Sequence, residues 1–264
     1  MNSQKIIEVL EQLAPLKLAE SWDNSGFQIG KLNHEVNSVF LALDATNQVI
    51  DTALRLKADM LITHHPLIFS EIKSILDNDF IGRRIIQLIE GNINYYAMHT
   101  NFDVAVMANY AAELLELHQC RVLEVTYVSP PAEPPGKMGI GCVGLLKEPM
   151  SLKDCGEWVK KVLCIPNVKI FGNLNAMVQS VSISPGSGKG MSEAAIGQKA
   201  DVLITGDIGH HEGIDAIAQG IFIIDAGHHG IEHIFVDYMK MFFEKNWNEI
   251  KVYTEENISP FTVI

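Results

Sequence analysis

Near the start of the chain, Ile6, Ile7, Leu10, Leu13 and Leu16 recur at helical spacing, which predicts a helix over 3–19 with Ser3 as its N-cap. A turn-rich block follows, Trp22-Asp23-Asn24-Ser25-Gly26-Phe27-Gln28-Ile29-Gly30. Apolar runs then predict strands at Val39 to Leu43, Met60 to Thr63 and Tyr95 to Met98, with helices over 46–57 and 75–90 between them. Strands that alternate with helices in this way form a mostly parallel sheet covered on both faces. The pattern breaks at Pro130-Pro131-Ala132-Glu133-Pro134-Pro135-Gly136, where proline density allows neither a helix nor a central strand.

The two sides of that break resemble each other. Residues 38–63 align without a gap on 180–205 at a constant offset of 142, and each block reads strand, helix, strand. Residues 91–99 then align on 220–228. A long repeat present twice indicates a duplicated unit rather than a solenoid. The expected fold is α/β: two related α/β/α repeats from an internal duplication, with mostly parallel sheets and a metal site in the cleft between them. The expected domains are 1–127 together with 225–264, which carry the metal-binding residues, and 128–224 as an inserted second repeat.

The metal site is inferred from Thr63-His64-His65-Pro66, two imidazoles at the end of a buried strand. The carboxyl ends of strands are where ligands bind in open α/β sheets, and Pro66 biases His65 toward extended backbone. Asp103 follows the third strand, and His228 and Glu232 fall one turn apart on one face if a helix starts at 228. Three histidines and two carboxylates are too many for one tetrahedral ion with an open position. They suit two ions, with Glu232 as the bridge. His99 matches His228 in the repeat; it is a ligand, a proton donor or an orienting partner, and proton transfer or orientation is the preferred role. Other motifs have two readings each. His210-His211 line the cleft or sit exposed in a loop, and Pro185 to Gly190 is an anion cradle or a tight turn. Trp22, Asp23 and Asn24 serve a cleft or, as the preferred reading, form a turn and anchor the core.

Composition narrows the partners. A net charge of −12 and a pI near 5.2 argue against nucleic acid, which needs a basic face. A nucleotide or other small anion stays compatible, because bound cations reverse the local field. Cys120, Cys142, Cys155 and Cys164 lack CxxC spacing and read as reduced thiols. The first residues contain no apolar signal core, and no apolar run reaches the roughly 20 residues of a membrane span. A cytoplasmic protein is expected.

Together, Trp22 to Gly26, Thr63 to Pro66, His99-Thr100-Asn101-Phe102-Asp103, Gly206-Asp207 and Asp225-Ala226-Gly227-His228 with Glu232 resemble the GTP cyclohydrolase 1 type 2 homologue family, the Nif-three-like proteins. The resemblance covers almost the whole chain and matches the short bacterial form without a central insertion. It departs at Ile231, where the family usually has Ser or Thr. It implies a duplicated α/β fold, a ring-like homohexamer, and a di-metal centre of zinc, iron or manganese held by His64, His65, Asp103, His228 and Glu232. The implied activity is hydrolytic opening of the GTP purine ring or related nucleotide or phosphoester hydrolysis. The alternative is a non-catalytic, metal-binding hexameric assembly or regulatory protein.

Overall fold

The structure is a computed structural model that describes residues 1–131 and 136–262, so 132–135 of the proline-rich break lie outside the described residues. In chain order the strands are β1 (Gly26–Ile29), β2 (Ser38–Ala42), β3 (Met60–Thr63), β4 (Asn94–Ala97), β5 (His118–Val128), β6 (Lys137–Ser151), β7 (Lys169–Phe171), β8 (Met177–Ser187), β9 (Val202–Gly206), β10 (Phe222–Asp225) and β11 (Lys251–Thr254). They form two sheets. The chain divides into two compact units, Met1–Phe102 with Phe235–Ile258, and Asp103–Ile234 with the residues from Ser259.

The first unit holds the sheet β1-β4-β3-β2-β11, in which only the β1–β4 pairing is antiparallel. All four residues of β3 and all four of β4 are buried, as expected for strands covered on both faces. Helices Asn47–Leu56 and Phe80–Glu90 cover one face through Ile50, Ala53, Ile85 and Leu88, which pack with Leu61 and Tyr95. The first helix runs Ser3–Leu13 and stops ahead of Pro15. Its N-cap is Asn2, whose side chain accepts from Gln4 N; Ser3 is buried and donates instead to the carbonyls of Lys31 and Leu32.

In the second unit the order is β5-β6-β8-β9-β10-β7. Only β8–β9 and β9–β10 pair in parallel; β5–β6, β6–β8 and β7–β10 are antiparallel. The expectation of mostly parallel sheets therefore holds for the first sheet and fails for the second. The connection from Val128 to Lys137 is too short for the crossover that parallel strands need, so β5 and β6 form a hairpin. That hairpin puts 118–128 in the second sheet. The chain passes from one unit to the other at 102/103, 234/235 and 258/259, where the sequence pattern draws boundaries at 127/128 and 224/225.

The aligned blocks share fine detail. Val39, Phe40 and Leu41 pair with Met60, Leu61 and Ile62; at the same offset, Val181, Ser182 and Ile183 pair with Val202, Leu203 and Ile204. Lys57 and Lys199, also 142 apart, both adopt positive φ. Asp59 Oδ2 accepts from Asn37 N and Ser38 N at 2.9 Å, while Asp201 Oδ2 accepts from Gln179 N and Ser180 N at 2.8 Å. Each carboxylate closes the entry to a central strand. Asp59→Ala and Asp201→Ala should each lower stability by about 1–3 kcal/mol in urea unfolding, whereas exposed Glu244→Ala should stay within about 0.5 kcal/mol.

Among the described residues no helix is long and apolar enough to cross a membrane. The cysteines form no disulfide, and burial pushes the thiols of Cys142 and Cys155 up to about 12 and about 11. Alkylation of the native protein should therefore spare those two thiols and reach exposed Cys164.

Candidate metal centre

In the first unit β3 ends at Thr63, and the chain leaves the sheet through His64 and His65. The turn is tied down: Thr63 Oγ1 donates to His65 O at 2.7 Å, and the buried Tyr95 hydroxyl accepts from Leu67 N at 2.8 Å. Burial pushes the Tyr95 phenol upward, so it stays protonated and serves structure. His64 is fully buried, with Phe235 and Phe102 against its ring. His99, just beyond β4, completes a cluster with His64 and His65 in which one ring nitrogen from each lies within 4.8 Å of the others.

Each of these rings has its Nδ1 occupied. His64 Nδ1 donates to Met98 O at 2.7 Å, His65 Nδ1 to Asp44 Oδ1 at 2.8 Å, and His99 Nδ1 to Asp23 Oδ1 at 2.7 Å. Carbonyl and carboxylate oxygens only accept, so the ring proton sits on Nδ1 and the lone pair on Nε2. The Asp23 side chain is fully buried and also accepts from Thr100 N, Thr100 Oγ1, Ser25 Oγ and Asn24 N. Burial opposes its charge, but hydrogen bonds from His99, Thr100 and Ser25 outweigh it and hold the carboxyl far below the usual range. Nearby in the same unit, burial pushes Glu255 up to about 7, against the hydrogen bond from Leu43 N.

In the second unit, β10 ends at Asp225, and Gly227, at φ +74°, turns the chain into the helix His228–Glu232. The expected i, i+4 pair is present, with His228 Nε2 3.0 Å from Glu232 Oε2. His228 Nδ1 lies 2.8 Å from Asp207 Oδ2, so both nitrogens of this ring face carboxylate oxygens. Glu232 is buried, and Gly186 makes room for it: a Cβ there would lie 2.3 Å from Glu232 Oε1. Asp103 opens a π-helical turn, Asp103–Met107, with its Oδ1 buried. Such turns recur at functional sites.

These donors fit a divalent metal. Metal-bound histidines characteristically donate their other ring nitrogen to a carboxylate or carbonyl, and His64, His65, His99 and His228 all do so. A nitrogen and a carboxylate oxygen 3.0 Å apart also match donors on adjacent positions around an ion with bonds of about 2.0–2.1 Å. The structure thus has His and Glu groups that could hold a metal ion.

Other sequence expectations fare differently. His210 and His211 meet edge to face, exposed, at the start of the helix His210–Ala218; among the described residues neither joins a metal-capable group. In the Pro185–Gly190 segment β8 continues to Ser187, which pairs with Gly206, and Gly190, at φ +82°, leads into the seven-residue helix Met191–Gly197. Asp23 forms its turn but also orients His99. Trp22 is 57% exposed and does not anchor the core. Asp44 and Asp207 were missed as orienting residues. Both lie just past one strand and 21 residues before a histidine just past the next, a spacing the sequence does contain.

Comparison with known proteins identifies the family and the fold. The model of the Duf34/NIF3 (NGG1p interacting factor 3) family matches residues 1–260. The GTP cyclohydrolase 1 type 2 homolog of Clostridium perfringens is 32% identical over 234 residues, 88% of this chain and 87% of the relative. That of Clostridium acetobutylicum is 30% identical over 276 residues, 99% of this chain and 98% of the relative. Among solved structures, a Bacillus cereus protein related to NIF3 superimposes with a TM-score of 0.89 at 25% identity, covering 100% of this chain and 99% of that one. Reduced HcgD from Methanocaldococcus jannaschii gives 0.83 at 28% identity, covering 96% and 97%.

Proposed function

The chain belongs to the Duf34/NIF3 family, and on that premise we propose that it is a divalent-metal-dependent hydrolase that opens the purine ring of GTP or hydrolyses a related nucleotide or phosphoester. His64, His65, Asp103, His228 and Glu232 would hold two ions of zinc, iron or manganese. The observation that carries the reading is the oxygen partner at Nδ1 of each of the four histidines, which leaves Nε2 directed at the site. Bound ions would lower the pKa of water toward 7 and polarise a substrate oxygen. The protein's part is orientation and proton movement. Asp44 and Asp207 fix the rings of His65 and His228, and the Met98 carbonyl fixes His64. His99 Nε2 takes up or delivers a proton, and buried Asp23 stabilises the imidazolium that forms.

The proposal includes an internal duplication, supported by the matching registers and the Asp59 and Asp201 caps. It also includes a homohexamer, which would cover Ile72, Ile75, Leu76 and Phe80, all exposed in one short stretch. A non-catalytic metal-binding assembly is the second reading; the burial of His64 and Glu232, as in a closed shell, favours it.

Elemental analysis with a GTP turnover assay tests the hydrolase. Two ions per chain and ring-opened product are expected, with both sharply reduced in His65→Ala and Glu232→Ala. Fewer than one ion in metal-replete protein would sink the centre. Full metal without turnover of GTP, other nucleotides or phosphoesters would favour the second reading.

A further inference from the structure

We infer that Trp22 and Phe69 form a stacking platform for a planar heteroaromatic ring beside the histidine cluster of the first unit. The inference rests on the hydrolase reading, to which it adds a subsite for the base. Trp22 is 57% and Phe69 52% exposed, although these are among the side chains with most to gain from burial. Their rings touch, with centroids 5.9 Å apart and planes at 47°. Both stand nearly edge-on to His99, at 5.9 Å and 6.3 Å, and His99 in turn lies 5.3 Å from His64 and 5.5 Å from His65. Two aromatic rings, each more than half exposed, thus stand beside His99, which itself neighbours His64 and His65. An apolar contact made only for stability would bury more of those rings.

The platform is also held in place. The peptide before Phe69 is fixed on both sides, since Ile68 O accepts from Asn24 Nδ2 at 2.6 Å and from Gln28 Nε2 at 3.2 Å. Ile68 N donates to Gln28 Oε1 at 3.0 Å. Asn24 lies two residues beyond Trp22, and Asn24 N donates to the same Asp23 that holds His99. One short block, Trp22 to Gln28, therefore sets the indole, the Phe69 loop and the His99 ring in a common frame. A ring laid on the indole would bring its edge toward His99 without any rearrangement of that frame. Rigid aromatic surfaces of this kind bind bases by stacking, which tolerates ring substituents and depends on the π face.

The test is direct binding of guanosine 5′-monophosphate to the metal-loaded full-length protein by calorimetry, with ribose 5-phosphate as the probe lacking a base. The nucleotide should bind more tightly than ribose 5-phosphate. Trp22→Ala should weaken it by about fivefold to a hundredfold with metal content unchanged, Phe69→Ala by less, and Trp22→Phe should stay near wild type. Because Trp22 is exposed, its replacement should leave the melting temperature within a few degrees, which separates lost stacking from lost fold. Equal affinity for the two probes, or unchanged nucleotide affinity in Trp22→Ala, would overturn the platform. The hydrolase reading fails separately. Ring binding that depends on Trp22 in a protein that turns over no substrate keeps the platform and removes the hydrolase. GTP turnover with the same KM in Trp22→Ala does the reverse.

Discussion

Asp23→Asn should lower kcat for GTP by about two to four orders of magnitude in a protein that still folds and still loads metal. Asparagine matches aspartate in shape, so it can still accept from Thr100 and Ser25 through its oxygen. It cannot stabilise an imidazolium, and if its amide nitrogen faces His99 it forces the proton onto Nε2, the wrong tautomer for proton uptake. Asp23→Ala should do more damage. It leaves the donors of His99, Thr100, Ser25 and Asn24 without their acceptor, and a loss of about 3–5 kcal/mol in stability is expected. The pair of variants separates chemistry from folding, read as kcat against pH for the first and urea midpoint for the second. Wild-type kcat in Asp23→Asn would remove His99 from proton transfer. Loss of bound metal in that variant would instead make His99 a ligand.

The sequence makes these side chains legible to different degrees. His64 and His65 stand out because an unbroken apolar run, Met60 to Thr63, ends in them, and a strand buried on both faces needs no tertiary information to be read. His228 and Glu232 need only a helix to converge, and the helix is there. The orienting carboxylates are harder. Asp44 meets His65 only because β2 and β3 pair in parallel with Ala42 opposite Thr63, which puts the two exits side by side. Asp207 meets His228 through the same relation between β9 and β10, where Thr205 faces Asp225. That information lies in strand register, which a hydrophobic pattern does not encode. The hairpin β5–β6 was hidden for another reason: proline density reads as a break whether the strands on either side separate or pair. The exposure of Trp22 is not legible, because an aromatic in a turn carries no sign of which face stays in water.

Gly186→Ala should strip metal from the protein while leaving the fold intact, and Gly190→Ala should leave the metal in place. Both glycines sit at positive φ, +76° and +82°, so both substitutions carry a similar backbone strain of about 1–2 kcal/mol. They differ in what a new methyl group meets. At Gly190 there is nothing within 4 Å, whereas at Gly186 the Cβ would come 2.3 Å from Glu232 Oε1. The atom in the way ends a flexible side chain, so the carboxylate can swing aside at little cost in stability. It cannot do so and keep Oε2 3.0 Å from His228 Nε2. Elemental analysis should therefore show metal content falling at least severalfold in Gly186→Ala and staying at the wild-type level in Gly190→Ala, with similar melting temperatures. Because strain is common to both variants, the difference between them isolates the position of one carboxylate. If Gly186→Ala retained full metal, Glu232 could not be the bridging ligand, and the glycine would serve only the turn in β8.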